Sequence, residues 1–152
     1  MQNMTQQTQL FIPALGGFYE AVSDLAYPLV RFVAGAMLIP HGWMKLVGGG
    51  LTGTAEGMSN MGLEPAVWLA LYIGLLELVG GTLLAAGFLT RVVAIQVIGF
   101  MAVAAFYVHF GNGFLWIKGG YEFPLFWGIV ALAILFRGGG SLSLDRLIGK
   151  EF

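Results

Sequence analysis

The fold is decided by AVWLALYIGLLELVGGTLLAAGFL, residues 66–89, an apolar stretch that carries one glutamate, Glu77, near its middle. A run of about 20 apolar residues is long enough to cross the hydrocarbon core of a bilayer as a helix. A carboxylate at that depth costs roughly 2.5–3.5 kcal/mol on insertion scales. We therefore expect Glu77 to face other helices or a wet cavity, and to have a partner there.

Composition places the whole chain in the membrane class. Of its 152 residues, 58% are hydrophobic and 10% are charged, whereas about a quarter of the residues in average soluble proteins are charged. The chain has no cysteine, which excludes disulfides, thiolate metal ligands, iron–sulfur ligation and dithiol chemistry within it. We predict no metal site and no nucleic acid partner.

Three further apolar spans follow the same pattern, at 25–47, 92–110 and 122–136. Together with 66–89 they predict an all-α membrane protein, a bundle of four transmembrane helices within residues 25–137. The last span is short against the roughly 17–25 residues of a typical transmembrane helix. Residues 1–24 are interpreted as a polar or interfacial segment without a signal-peptide pattern, and residues 138–152 as a cytoplasmic tail.

Four spans place both termini on one side of the membrane, and the basic residues indicate which side. The side of the termini carries four of them: Arg91, Arg137, Arg146 and Lys150. The opposite side carries Lys45 and Lys118. Since short cytoplasmic loops are enriched in lysine and arginine, both termini are predicted to lie in the cytoplasm.

Antiparallel packing of these spans brings ionisable residues from three helices together near the outer side. His41 and Lys45 are four residues apart and share one helical face. His109 ends the third span and Glu122 begins the fourth, both at the same outer level. Glu77 is expected to form the floor beneath these four side chains.

Small residues around Glu77 indicate that it faces the bundle. Gly74, Gly80 and Gly81 lie at helical neighbour positions of Glu77. Small side chains allow close approach of helices in lipid, where polar groups can then bond across the interface. Glu77 is therefore predicted to point inward.

Each of these residues also has a structural interpretation, which the sequence leaves open. Arg31, below the cluster, is either a counter-charge for Glu77 or a residue that reaches the cytoplasmic surface. Lys45 and Lys118 can simply extend to water at a helix end. Glu77 can be an uncharged carboxylic acid bonded to another helix, and His109 an interfacial residue.

Four segments resemble the DoxX family of bacterial inner-membrane proteins, in the order in which that family has them. They are HGWMKL at 41–46, GLLELVGGTLLAAGFLTR at 74–91, GGYEFPL at 119–125 and SLDRLIG at 143–149. The resemblance implies a four-helix bundle in the inner membrane. It also implies similarity to the DoxX/DoxD-type subunits of thiosulfate:quinone oxidoreductase.

The leading functional hypothesis is a quinone-linked membrane oxidoreductase, or the membrane subunit of one, with a small sulfur anion as donor. Glu77, His41 and Glu122 are the predicted catalytic residues, because carboxyl and imidazole groups can move protons to a quinone oxygen. The predicted substrate- or cofactor-binding residues are Arg31, Lys45, His109, Trp43, Trp116, Lys118 and Tyr121. No covalently bound cofactor is implied, and a haem between His41 and His109 is a remoter option.

Two other classes of function stay open. One is a pathway for protons or small anions through the ionisable cluster, although four helices without an inverted repeat make a poor alternating-access transporter. The other is a structural or assembly subunit, in a homo-oligomer or with partner subunits, whose polar cluster holds the bundle together. Whether the chain is itself an enzyme is not decided by its sequence.

Overall fold

The computed structural model describes residues 9–152, which form helices and no strand. The helices are α1 (Gly16–Ala36), α2 (Ile39–Leu46), α3 (Leu51–Asn60), α4 (Ala66–Leu75), α5 (Gly81–Ala86), α6 (Thr90–Val103), α7 (Glu122–Arg137) and α8 (Leu144–Ile148). Three continuous helical stretches are long and apolar enough to cross a membrane: Pro13–Leu46, Ala66–Ala86 and Thr90–Val108. We call these the first, second and third long helices. Helix α7 has 16 residues.

The first long helix begins earlier than the hydrophobic pattern predicts. Helix α1 starts at Gly16, nine residues before the predicted start of the first span, and residues 1–8 of the predicted N-terminal segment lie outside the described residues. The whole stretch has 34 residues, or about 51 Å at 1.5 Å per residue, against about 30 Å of hydrocarbon. Polar residues such as Glu20 and Asp24 concealed this extension, because a helix that projects from the bilayer no longer needs an apolar surface.

Glycines hold the first and second long helices in close contact. Gly35 lies against the backbone of Gly81, and Gly42 lies against Gly74. A Cβ added to Gly42 would come within 2.7 Å of the Gly74 carbonyl oxygen and would also overlap the Leu78 nitrogen. The two contacts are seven residues apart on each helix, so they form one antiparallel seam. Gly74 and Gly81 thus lie at the contact between the two helices, and Glu77, which was predicted to point inward, is buried beside them.

The third long helix and α7 complete the bundle around a core of small and large apolar side chains. Ala94, Val97, Ala131 and Ile134 are nearly inaccessible to solvent. They belong to a larger cluster that also contains Ala34, Leu38, Leu76, Leu84, Val93, Met101 and Trp127. The core therefore joins all four helical segments, as expected for a bundle.

Helix α3 covers one end of the second long helix. Ala55 and Met58 of α3 pack with Ala66 and Ala70 of α4 in a separate apolar cluster. Helix α3 lies in the segment between the first and second predicted spans. The second long helix begins at α4, which packs on α3, and it extends beyond the end of α2. The outer ends of the first and second long helices are therefore staggered.

The C-terminal segment is fastened to the opposite end of the bundle. The Asp145 carboxylate accepts hydrogen bonds from Leu89 N at 2.8 Å, from Thr90 N at 3.0 Å and from Thr90 Oγ1 at 2.7 Å. It thereby satisfies amide groups at the start of α6, which have no partner within that helix. Arg31 donates to the carbonyl oxygens of Gly139 and Leu142. The segment predicted as a tail is thus part of the packed structure as far as α8.

We predict that Gly42→Ala lowers the midpoint of thermal unfolding in detergent and reduces the yield of folded protein. The added methyl group would overlap backbone atoms of Leu78 and Gly74, so the helices must separate, and overpacking of this kind typically costs about 1–3 kcal/mol. Gly99→Ala is the control, because no heavy atom lies within 4 Å of its added Cβ. Equal unfolding midpoints for both variants would contradict the close helix contact.

Asp145→Asn is expected to loosen the C-terminal segment. The substitution removes the charge from a group that accepts three hydrogen bonds, and bonds to charged groups contribute about 1.5–3 kcal/mol each. Limited proteolysis should then remove the C-terminus faster than in the unmodified protein. Glu56→Gln, at an exposed position of α3, should leave the proteolysis rate unchanged, and unchanged proteolysis of both would refute the role of Asp145.

Candidate functional site

A cavity of about 160 Å³ lies between the helices around Glu77. Its lining comes from the first long helix, the second, the third, the following loop and α7: Met37, Leu38, His41, Glu77, Phe100, Met101, Ala104, His109, Trp116, Phe123, Pro124 and Trp127. Four predicted site residues therefore meet in one cavity: Glu77, His41, His109 and Trp116. We call it the polar cavity.

All three long helices lose regular α geometry beside the polar cavity. The first is interrupted by a turn at Met37 and Leu38. The second contains a π-helical turn at Leu76–Gly80, which includes Glu77, and the third contains another at Ala104–Val108, directly before His109. Wide turns of this kind occur frequently at functional sites. No residue pattern in the sequence indicated them, because π turns follow from packing.

The partner of Glu77 is Lys45. Lys45 Nζ donates a hydrogen bond to Glu77 Oε2 at 2.6 Å, and the exposed fractions of the two side chains are 21% and 5%. Glu77 Oε1 accepts no hydrogen bond from residues 9–152 and is the oxygen left for a ligand. The pair lets a carboxylate lie inside the bundle, because each charge is compensated by the other.

The stagger between the first two long helices brings Lys45 within reach of Glu77. The turn of α2 that carries Gly42 lies against Gly74 and Leu78, and Lys45 Cβ lies 3.5 Å from a Cβ added to Gly74. The second long helix continues beyond this level to α3, so Glu77 lies nearer the end of α2 than a residue count from the start of its own helix suggests. The place of Glu77 as a floor beneath the other ionisable residues stays a prediction.

Arg31 lies apart from the polar cavity and does not contact Glu77. Its Nη2 donates to the carbonyl oxygens of Ala85 at 3.1 Å and Leu142 at 2.7 Å, while Nη1 donates to the Gly139 carbonyl. The Arg31–Glu77 ion pair considered from the sequence is therefore wrong. Arg31 instead holds the C-terminal segment against the first and second long helices.

His109 is oriented by the loop that follows it. Its Nδ1 lies 2.7 Å from the Gly119 carbonyl oxygen; since a carbonyl only accepts, Nδ1 carries the proton and Nε2 is the ring nitrogen left for a ligand. The His109 ring lies 5.4 Å from the Trp116 ring. Trp116, Phe123 and Trp127 follow one another at centroid distances of 5.1 and 5.4 Å. This aromatic row forms one wall of the polar cavity.

The other predicted site residues do not line the polar cavity. Glu122 Oε2 accepts a hydrogen bond from Trp116 N at 3.0 Å, so Glu122 positions the loop that carries Trp116. Tyr121 packs between Phe110 and Phe114 in that loop. The structure leaves two predicted binding residues, Trp43 and Lys118, on the exposed surface.

A second cleft, missed at the level of sequence, adjoins the polar cavity. It has a volume of about 340 Å³ and lies between the second and third long helices under α3. Phe100 and Ala104 line both spaces. The cleft is apolar except for Tyr72 and Gln96, and the Tyr72 hydroxyl donates to Gln96 Oε1 at 3.2 Å. Gln96, a polar residue within an apolar span, was the signal in the sequence that could have indicated it. We call this space the apolar cleft.

Known proteins similar to this chain are bacterial and include an inner-membrane protein. The inner membrane protein YqjF of Escherichia coli (strain K12) is 34% identical over 136 residues, which cover 86% of this chain and 98% of YqjF. A protein of Haemophilus influenzae is 33% identical over 125 residues, covering 80% of this chain and 90% of its own length. Another from that organism is 36% identical over 76 residues, half of each chain. No solved structure matches the chain.

The family model of DoxX matches residues 27–110. This match contains the Lys45–Glu77 pair, both π-helical turns and His109. The apolar long helices and the similarity to an inner-membrane protein agree with it. The chain belongs to the DoxX family and is an integral membrane protein.

Proposed function

We propose that this protein binds a membrane quinone in the polar cavity, as a quinone-linked oxidoreductase or as the membrane subunit of one. The observation that carries the proposal is the Lys45–Glu77 ion pair, buried beside a cavity that also contains His41 and His109. Ionisable groups inside a membrane bundle are costly and typically mark functional sites. The cavity combines proton-carrying groups with a wall of aromatic rings.

The groups of the polar cavity suit a quinone head. A quinone is flat and has carbonyl oxygens that accept hydrogen bonds, and the row formed by Trp116, Phe123 and Trp127 offers ring faces for packing. His41, which lines the cavity, can donate a ring N–H to one of those oxygens. Reduction to the quinol adds two electrons and two protons, and Glu77 with the histidines can take up protons and pass them to the quinone oxygens.

The apolar cleft suits the tail of the same molecule. It adjoins the polar cavity through Phe100 and Ala104 and is lined mostly by apolar side chains. A ligand with a polar head and a long hydrocarbon tail fills both spaces at once, whereas a small water-soluble anion fills only one. This pairing of spaces favours a lipid-soluble quinone over a soluble ligand.

The electrons come from a donor outside this chain. The proposal keeps a small sulfur anion as that donor: two thiosulfate ions release two electrons when they join as tetrathionate, and the quinone takes those electrons with two protons. Because the chain has no cysteine, no protein thiol relays them. Electrons therefore pass directly to the quinone or through a partner subunit.

The proposed topology has four spans with both termini in the cytoplasm. Helix α7 packs along the third long helix and has 16 residues, about 24 Å at 1.5 Å per residue. A span this short is accommodated by local thinning of the bilayer. Arg91, Arg137 and Arg146 then lie on the side of the termini, as the positive-inside rule requires.

A structural role for the polar cluster is the second candidate, and one observation favours it. The Lys45–Glu77 pair joins α2 directly to the second long helix, at the seam where Gly42 and Gly74 meet. Such a pair can fix the register of two helices without taking part in chemistry. A continuous proton path reaching Arg31 is less favoured, because Arg31 is engaged by carbonyl groups elsewhere.

We predict that Glu77→Gln lowers thiosulfate-dependent quinone reduction by about 10²-fold or more, since general acid catalysis contributes about 10²–10⁴-fold. Quinone extracted from the purified variant with organic solvent should also fall. Lys118→Gln, which removes an exposed charge outside the cavity, is the control and should retain both properties. If Glu77→Gln only lowers thermal stability while bound quinone and turnover persist, the structural role is the correct one.

Gly99→Leu tests the apolar cleft. Gly99 lines the cleft and an added Cβ meets nothing within 4 Å, so a leucine at this position begins without a clash and extends into the space of the cleft. We expect weaker binding of a quinone with a long isoprenoid tail and unchanged binding of an analogue that lacks the tail. Equal loss for both quinones, or for neither, would show that the tail does not lie in the cleft.

A further inference from the structure

The end of the molecule opposite the polar cavity has a basic surface formed by Arg137 and Arg146. Helix α7 ends at Arg137, and Arg146 lies on α8. Both side chains are exposed, and neither has a carboxylate within 4.0 Å in residues 9–152. The guanidinium of Arg137 lies 5.0 Å from the centre of the Tyr27 ring. Two cations are thus held at the surface without counter-ions.

The same two arginines line two adjoining recesses. One has a volume of about 370 Å³ and extends toward Lys150, and the other has about 420 Å³ and extends toward Ser141. Gly140 borders both. Because one pair of guanidinium groups serves both spaces, a ligand in either recess meets the same two positive charges.

Nearby carboxylates cancel this charge only in part. The two recesses are lined by Arg137, Arg146 and Lys150 and by the carboxylates of Asp24, Asp145 and Glu151. The Asp145 carboxylate keeps its charge but is directed at the donors of Leu89 and Thr90. Glu151 is paired with Arg91 at 3.2 Å and also accepts from the Gly139 amide. Asp24, in the second recess, is one carboxylate against two guanidinium groups. The surface therefore keeps a net positive charge and favours an anion.

Apolar side chains next to the arginines indicate what kind of anion fits. Leu147 is 81% exposed and Ile148 56% exposed on the same short helix as Arg146. Phe136, next to Arg137, is 73% exposed. A soluble protein surface rarely places such residues in water together, whereas at a membrane surface they reach the acyl chains while the arginines stay at the headgroup level.

We propose that Arg137 and Arg146 form a binding site for the phosphate of an anionic phospholipid, with the exposed residues of α8 on its acyl chains. Guanidinium groups bind phosphate oxygens through paired hydrogen bonds. Basic recesses at the ends of transmembrane helices are suited to phospholipid headgroups. The site does not depend on the proposed quinone function, since none of its residues lines the polar cavity.

The test is a titration of the full-length protein in neutral detergent with phosphatidylglycerol, phosphatidylcholine or inorganic phosphate. We expect phosphatidylglycerol to bind and to raise the midpoint of thermal unfolding, and the other two to have little effect. Each of Arg137→Gln and Arg146→Gln should weaken phosphatidylglycerol binding about fivefold, and the double variant about thirtyfold. Lys118→Gln removes one charge at the other end of the molecule and should bind normally.

Each contrary result overturns the proposal. Equal stabilisation by inorganic phosphate would assign the surface to a soluble anion. Equal stabilisation by phosphatidylcholine would show that lipid binding does not depend on the charge of the two arginines. Unchanged phosphatidylglycerol affinity in the double variant would place the lipid elsewhere. If the double variant does not fold, the two single variants and the comparison of the three additives on the unmodified protein still decide the question.

Discussion

The ion pair between Lys45 and Glu77 is the interaction that allows a carboxylate to lie inside this bundle. An ionised group without a partner would carry a large desolvation cost in the protein interior, and a salt bridge offsets that cost only when the two groups meet closely. They meet here at 2.6 Å. The first and second long helices are in near backbone contact where Gly42 meets Gly74 and Leu78, and this contact keeps Lys45 and Glu77 within reach of one another. The glycine seam and the ion pair therefore lie in the same region of the helix interface.

The same region supplies the space for a ligand. The turn that interrupts the first long helix and the two π-helical turns of the second and third place His41, Glu77 and His109 on one cavity. In regular α-helices, His41, Glu77 and His109 would have different orientations relative to one another. The adjoining apolar cleft opens beside this cavity. A polar space with proton-carrying groups and an apolar space beside it together suit an amphipathic ligand, and on this ground we propose a quinone and not a soluble anion.

Much of the fold was predictable because it follows from local patterns. Apolar spans, the glycines near Glu77 and the resemblance to the DoxX family indicated an all-helical membrane protein with Glu77 facing inward, and the burial of Glu77 agrees. The partners of the charged groups were not predictable in the same way. Lys45 and Arg31 are both possible counter-charges by sequence, and the choice between them depends on the register in which α2 packs against the second long helix. Likewise, Glu122 was expected in the site, but its hydrogen bond to the Trp116 amide is a property of loop conformation.

The most direct test of the ion pair as the organising interaction is a double-mutant cycle with Lys45→Met, Glu77→Met and the two combined, measured by reversible unfolding in detergent. The account predicts that Lys45→Met is the most destabilising, because it leaves the buried Glu77 carboxylate without a partner. Glu77→Met should cost less, since the Lys45 side chain can reach water. The combined variant should be more stable than Lys45→Met alone, as expected when a buried pair is replaced by apolar side chains. Additive losses from the two single changes would contradict a direct interaction between Lys45 and Glu77.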